Sequence, residues 1–497
     1  MPNVPDDVLL KIFDLADLAT LRASMHVSRQ WRVVARHHPT YWRTLTLDAL
    51  SMSGSDVALF LDRLNATGGR TDSSIRLSLK CPESTSSLSF LVLTSVVLPA
   101  VRNHLHRAEE LAFLVSPSFA TALWPLFSLD VPNLRGLHVR ADGFSGDMEP
   151  LPSLFNAHAH TALERVLLYD VPLSPLAQPL RHTLKSLKAN YSIRNDTERS
   201  CLRRVLSWFP HSQMMALSTV SVNGYKPNSP TLPELSNLQL LTLHHLALYA
   251  EEDVYRIPHD LIPVLSIRAS IRTPGLMRRL LPARGMLAVA LRVRVRQDLR
   301  YQLAGRVIIT TPDGTCIREF DFQRVKRMQS LAFLQEVLPS DRIVHLTIPV
   351  AIGFSTLREH AYFLPQLVTL RLLLNALPEP LTAGATSSIV CPKLTTLILQ
   401  REVEELEARI SRPVLEAFIR AAIFTENPGA VRVVLEDISI WDNAAGPENG
   451  LVRQLEFRQP AMPWDAAVRP SDTGQAWICE SPEMFCLQRP QIAWLAS

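Results

Sequence analysis

VPDDVLLKIFDLADLATLRASMHVSRQWRVVARHHPTYWRTLTL, residues 4–47, decides how this chain is read. Pro5 opens a helix where its missing N–H costs nothing, and Asp6 and Asp7 place negative charge in the first turn, where it suits the helix dipole. Val8, Leu9, Ile12 and Phe13 recur at helical spacing and make an apolar face. Leu15, Leu18 and Leu21 carry apolar character across a connection marked by Asp14 and Asp17. A second helix is predicted through Leu21, Met25, Val27 and Trp31, with Arg22, Arg29, Arg32 and Arg36 on polar faces, until His37, His38 and Pro39 break it. Tyr41, Trp42, Leu45 and Leu47 restart the apolar run. A unit this small cannot bury a sufficient core alone. Its apolar faces are too generous for a free-standing domain, so a partner or the following domain is expected to cover one of them.

The stretch resembles an F-box. The resemblance is carried by Pro5, Ile12-Phe13, Val27-Ser28-Arg29, Trp31-Arg32 and Trp42; Val4 departs from it, since that family usually has Leu before the Pro, and only Met1 to Asn3 precede the motif. The resemblance implies docking on a Skp-type adaptor, which joins a cullin scaffold and the ubiquitin-conjugating machinery. It points to Pro5, Val8, Leu9, Ile12, Leu21, Val27 and Trp31 as adaptor contacts, with the alternative that some of them are only the internal core of a helical cap.

The chain has 497 residues, 47% of them apolar and 20% charged, with a net charge of +4. That balance is ordinary for a soluble globular chain and implies no bulk attraction to nucleic acid or membrane. Cys81, Cys201, Cys316, Cys391, Cys479 and Cys486 are scattered, with no C-x-x-C pair or zinc spacing, so a reduced, cytoplasmic or nuclear setting is expected. The acidic N-terminus shows no secretory signal. The most apolar window, Leu88 to Val101, is shorter than a membrane span needs and is interrupted by Ser89, Thr94 and Ser95; it is read as a buried helix.

After residue 48 a figure of the form L-x-x-L-x-L recurs. Its clearest copies lie at 132–139, 161–168, 182–189, 236–243, 365–372 and 392–399. Weaker copies are Ala108-Leu111-Phe113, Leu217-Val220-Val222, Ile262-Leu265-Ile267 and Ile343-Leu346-Ile348. Each closing L-x-L alternates and predicts a short strand with one buried face. One such unit cannot bury its own face and must stack on a neighbour. Helical patterns fall between, among them one that Ser55 can cap, and others at Ser118–Phe127, Glu198–Phe209, Thr273–Leu281, Arg324–Leu338, Leu357–Leu364 and Pro413–Phe424. Strand, loop and helix in alternation predict an α/β array with a parallel sheet. The array resembles irregular leucine-rich repeats, and the whole resembles fungal F-box proteins with such a tail. The expected division is a helical head at 1–48, an irregular leucine-rich-repeat-like α/β solenoid at 49–440 and a tail at 441–497, read either as a cap on the last repeat or as partly disordered. A hairpin at 307–320, with Pro312-Asp313-Gly314 at its turn, interrupts the array and is expected to break it into two lobes.

No catalytic motif is present, so no enzyme activity and no cofactor are expected. His104-x-His106 and His158-x-His160 come nearest to metal spacing but lack acids or cysteines nearby; His37-His38 and His244-His245 are read as turn and surface residues. Between Leu261 and Gln297 stand eight arginines and no acid. Arg292, Arg294 and Arg296 alternate with apolar residues and line one face of a strand. They read either as a solvated face paired with acids elsewhere, or as a patch that recognises an acidic or phosphorylated peptide of the substrate. Nucleic acid is disfavoured there, since no stacking aromatics are near. Two functions follow from the sequence: a substrate-receptor subunit of a cullin-type ubiquitin ligase that recruits an unknown protein, or an interaction scaffold whose head no longer binds the adaptor.

Overall fold

The computed structural model describes residues 4–65, 74–142, 148–154, 162–174, 184–190, 205–206, 208–218, 237–244, 259–268, 274–295, 302–326, 338–350, 354, 357–358, 362–374, 388–401, 408–440 and 454–458. It is a mixed α/β protein with a helical N-terminal head followed by parallel-rich sheet. The chain divides into two compact units, one built on Met1–Gln239 and the other on Leu240–Cys479.

In the first unit the helices α1 (Asp6–Asp14), α2 (Leu18–Ser24), α3 (Arg29–His37) and α4 (Pro39–Trp42) lead directly into a sheet. Its strands are β1 (Thr44–Asp48), β2 (Ile75–Cys81), β3 (Ala108–Val115), β4 (Gly136–Ala141), β5 (Arg165–Tyr169), β6 (Ser186–Asn190) and β7 (Met214–Ser218). Each pairs in parallel with the next in chain order. The register aligns the inward side chains into two rows. One runs Leu45, Leu77, Leu111, Leu137, Val166, Leu187, Met215; the other runs Leu47, Leu79, Phe113, Val139, Leu168, Ala189, Leu217. Every member is buried.

The rows explain why no strand stands alone. Two buried side chains contribute about 3–6 kcal/mol, whereas ordering the backbone of a five-residue strand costs about 5–10 kcal/mol. Neighbouring strands and a helical layer supply the remainder. That layer holds α5 (Gly54–Asn65), α6 (Ser87–Val92), a π-helical stretch Leu93–Val97, α7 (Leu98–His104) and α8 (Pro117–Leu123). Phe60, Leu64, Val97, Val101 and Phe119 are among its buried residues, and Phe127, in the 3-10 turn Trp124–Ser128 after α8, meets Phe113 edge-on at 5.8 Å between ring centroids.

Several details differ from the sequence reading. The window at Leu88 is part of a longer helical run, Ser87–Arg107, which by length and composition is apolar enough to cross a membrane. It is not buried all round: Leu93, Val97, Leu98 and Val101 pack inward, while Leu88, Leu91 and Val96 are exposed. The cap of α5 is Ser53, whose Oγ accepts from Asp56 N while Asp56 Oδ2 accepts from Ser53 N. β2 has L-x-L at Leu77 and Leu79, but Ser74 stands where the recurring figure has its first Leu, so the figure does not mark it.

The second unit contains β8 (Leu240–His244), β9 (Val264–Arg268), α9 (Pro274–Leu280), β10 (Leu287–Val295), β11 (Gln302–Thr310), β12 (Ile317–Lys326), β13 (Ile343–Pro349) and β14 (Thr369–Leu374). It continues with β15 (Ile389–Val390), β16 (Thr396–Arg401), β17 (Ala408–Ile410), α10 (Arg412–Ala422), β18 (Ile423–Phe424), β19 (Arg432–Glu436), β20 (Ile438–Ile440) and β21 (Gln454–Arg458). The spatial order is β8-β9-β12-β11-β10-β13-β14-β16-β19-β21, with β11 alone antiparallel to its neighbours. β15 pairs with β18, and β17 with β20, as separate ribbons.

The hairpin β11–β12 therefore does not interrupt the second sheet; it is stitched into it, because β12 pairs with β9 and β10 pairs with β13. The division between units falls at Gln239, well before the hairpin. The helical pattern at Arg324–Leu338 begins as strand, since β12 runs to Lys326. Most of Glu198–Phe209, residues 359–361 within the pattern Leu357–Leu364, and the tail 441–497 apart from β21 lie outside the described residues, while Phe363, at the end of that pattern, makes a β-bridge with Val390 rather than helix.

One inward position breaks the apolar rule. Between Leu265 of β9 and Ile309 of β11 stands Arg318, only 1% exposed. Its guanidinium donates to the carbonyls of Leu280 at 3.0 Å, Ile262 at 2.9 Å, Pro263 at 3.0 Å and His259 at 2.8 Å. Burial pushes its pKa below the ordinary arginine value. The side chain bonds the end of α9, the approach to β9 and the hairpin to one another. Arg318→Ala takes from the Leu280 and Ile262 carbonyls the donor that the guanidinium supplies and is expected to destabilise the second unit by about 3 kcal/mol, read as a lowered urea midpoint; Arg318→Lys is expected to recover only part, because it lacks the planar fork.

Candidate functional site

The head is held by caps and by one cross-brace. Asp17 Oδ1 accepts from Thr20 N at 2.7 Å to start α2, and Ser28 Oγ accepts from Trp31 N at 3.2 Å to start α3. The helix predicted from Leu21 to Trp31 is thus two helices with a turn at Met25–Val27 between them. Gln30 Nε2 donates at 2.7 Å both to Val4 O and to Asp6 Oδ1, bracing α3 against the start of α1. Phe13 is buried against Trp31, with ring centroids 5.7 Å apart, and against His38. His38 is not a surface residue: it is buried, and its Nε2 lies 3.1 Å from Asp14 Oδ1.

The seven residues singled out from the sequence fall into two groups. Leu9 and Leu21 are fully buried inside the head, so they support its shape and present nothing to a partner. Val8, Ile12 and Val27 are 41%, 45% and 49% exposed; Pro5 is also exposed and Trp31 half-buried. Leu10, Leu15 and Val33 are exposed apolar residues too, and Leu15 is 92% open. The run V-L-L-K-I-F carried the signal for Leu10, because five apolar residues in six cannot all lie on one helical face. So the head presents scattered solvent-facing aliphatic side chains on a small, capped helical frame.

That frame is bonded to the sheet that follows. Tyr41 and Trp42 are buried, and Trp42 Nε1 donates to His37 O at 3.2 Å. From α5, Asp62 accepts from the Tyr41 hydroxyl at 2.7 Å and pairs with Arg36. Arg63 donates to the carbonyls of Tyr41 and Thr44, and its guanidinium carbon lies 5.6 Å from the Tyr41 ring centroid. Burial draws the Arg63 pKa down to about 10 and raises that of Tyr41.

The outward face of the first sheet is polar and charged. Glu110 reaches across β4 to Arg165 at 2.7 Å and lies 3.7 Å from Arg76. Gly136 stands between them in register, where a Cβ would meet Glu110 Cγ at 3.3 Å. Further along, the His138 ring stacks obliquely on Tyr169 at 5.5 Å between centroids, beside Arg140 and Lys188. Burial, with the charges of Arg140 and Lys188, draws the His138 pKa down to about 4; burial pushes Tyr169 up to about 12.

In the second unit Arg292 and Arg294 lie in β10, opposite Arg306 and Ala304 of β11. Arg296 and His158-x-His160 lie outside the described residues. Arg306 pairs with Glu319 at 2.7 Å. His104 Nε2 meets Asn65 Oδ1 at 3.1 Å, and His244 is buried at the end of β8. No group of three His, Cys, Asp or Glu suited to a metal occurs among the described residues.

Against known families, the F-box-like family matches residues 1–48. The head is an F-box-like domain, and the match ends with β1, the first strand of the sheet. No curated protein matches the chain. The burial split predicts a split in stability. Leu9→Ala or Leu21→Ala is expected to destabilise by about 2–5 kcal/mol, whereas Val8→Ala or Ile12→Ala changes stability by less than about 0.5 kcal/mol; thermal unfolding followed by circular dichroism measures both.

Proposed function

We propose that this protein is a substrate-receptor subunit of a cullin-type ubiquitin ligase. The observation that carries the reading is the coincidence of the F-box-like match at 1–48 with exposed aliphatic side chains there: Val8, Ile12 and Val27, with Pro5 and Trp31 beside them. F-box domains commonly bind Skp-type adaptors, and such side chains on a rigid helical frame suit a docked helical partner.

On this reading the parallel ladders after the head belong to an irregular leucine-rich-repeat-like array that captures a protein to be ubiquitylated. The successive L-x-L strands in register support it. The protein supplies no catalytic group and needs no cofactor; it raises the effective concentration of substrate beside the conjugating enzyme. Cys81, Cys316 and Cys391 are free thiols, which suits the cytoplasm or nucleus.

The test is co-expression with a Skp-type adaptor. Wild type is expected to retain the adaptor. Pro5→Ala with Ile12→Ala weakens retention, and Val8→Asp with Ile12→Asp abolishes it, since each buried unpaired carboxylate costs roughly 2 kcal/mol or more. Adaptor absent from the wild-type eluate would sink the ligase reading and leave a scaffold with a helical cap.

A further inference from the structure

A parallel ladder has two ends, and each leaves one flank of its last strand without a neighbouring strand. In the first unit that flank is closed. Among the described residues β1 pairs with β2 alone, yet its inward Leu45 and Leu47 are buried. The helices α4 and α5 pack beside it, and Arg63 of α5 donates to Thr44 O.

In the second unit the inward rows run out uncovered. One row is Leu346, Leu370, Leu397, Val433 and Leu455; the other is Ile348, Leu372, Leu399, Leu435 and Phe457. As far as β19 no member is more than 3% exposed. At β21 the burial stops: Leu455 is only half-buried, and Phe457 is 58% exposed. Both are inward positions, since Glu456 between them turns the other way and lies 3.6 Å from Arg432. Among the described residues β21 pairs only with β19, so its other edge also offers a row of backbone donors and acceptors. An open edge that carries an exposed aromatic is a place where a further segment binds or chains aggregate.

The chain carries its own candidate for that flank. β21 ends at Arg458, and the residues that follow it include Trp464, Trp477, Phe485, Ile492, Trp494 and Leu495. Pro460 and Pro463 have no N–H to give to a ladder, which favours a turn out of the strand direction there. A segment tethered directly to β21 has an effective concentration on the order of millimolar beside it, ahead of a free partner of similar apolar character. A stacked array also needs its terminal face covered. We propose that residues 459–497 fold back over the free flank of β21 and bury Leu455 and Phe457, closing the second unit as α4 and α5 close the start of the first sheet. The inference is independent of adaptor binding.

The test is hydrogen–deuterium exchange of the full chain without adaptor, read by mass spectrometry. In wild type, peptides from 459–497 are expected to exchange about tenfold or more slowly than an unstructured chain. Phe457→Asp is expected to return them to the unstructured rate, while peptides covering β13, β14 and β16 keep their protection. Trp464→Ser with Trp477→Ser, a change confined to the segment, is expected to do the same, and it alone decides if Phe457→Asp also loosens those strands. Unstructured exchange of 459–497 in wild type, or protection there that survives both variants, would overturn the proposal. So would a wild-type dimer in light scattering that Phe457→Asp converts to monomer, since a second copy would then occupy the flank.

Discussion

Everything after the head depends on one constraint: a five-residue strand cannot bury its inward side chains by itself. The parallel register solves this by stacking like on like, Leu45 on Leu77 on Leu111 on Leu137. Each added strand covers one flank of the last row and exposes a new one, so stability accumulates by neighbours rather than around a central nucleus. The helical layer follows from the same need. Phe60, Phe119 and Phe127 are large because they must close the rows from outside, whereas the strands contribute mainly Leu and Val.

The departures from this rule show how much latitude it allows. Arg318 occupies an inward position with a full charge and still satisfies the geometry, because the ends of α9 and the approach to β9 turn several carbonyls towards it. The Leu280 and Ile262 carbonyls gain in Arg318 a donor, while those of His259 and Pro263 add it to the backbone N–H they already accept from, so the charge and the carbonyls each answer the other's desolvation. Arg318 thus bonds β12 to the approach to β9 at the edge where the hairpin joins the ladder. Gly136 is the complementary case on the outward face. Its missing side chain lets Glu110 and Arg165 meet across an intervening strand, which a larger residue would crowd.

What the sequence made legible follows from the same physics. The L-x-L figure reports two inward residues, so strands such as β4, β14 and β16, whose inward residues are Leu or Val, could be read directly. β19 was missed because its inward pair is Val433 and Leu435 with no preceding Leu. The placement of Arg318 was not legible at all, since a charged residue in an alternating arm reads as solvent-facing until its carbonyl partners, dozens of residues away, are known. In the head, helical periodicity identified which positions are apolar but not which of them are enclosed. Leu9 and Ile12 look alike in the pattern, and only the packing of α3 across α1 separates them.

The junction between head and sheet carries the last step. The F-box-like match runs to residue 48, and so does β1; the domain's last segment is thus the sheet's first strand, with no linker between. Arg63 reaches from α5 to the carbonyls of Tyr41 and Thr44, on either side of the point where helix becomes strand, while Asp62 holds Tyr41 and Arg36. A flexible connection would spread a captured protein over a wide range of distances and dilute its effective concentration. Bonding the turn from both sides fixes the direction in which the first sheet leaves the head. For a receptor whose proposed task is to present a second protein to chemistry performed elsewhere, that direction is itself the functional quantity, and buried Arg63 braces it.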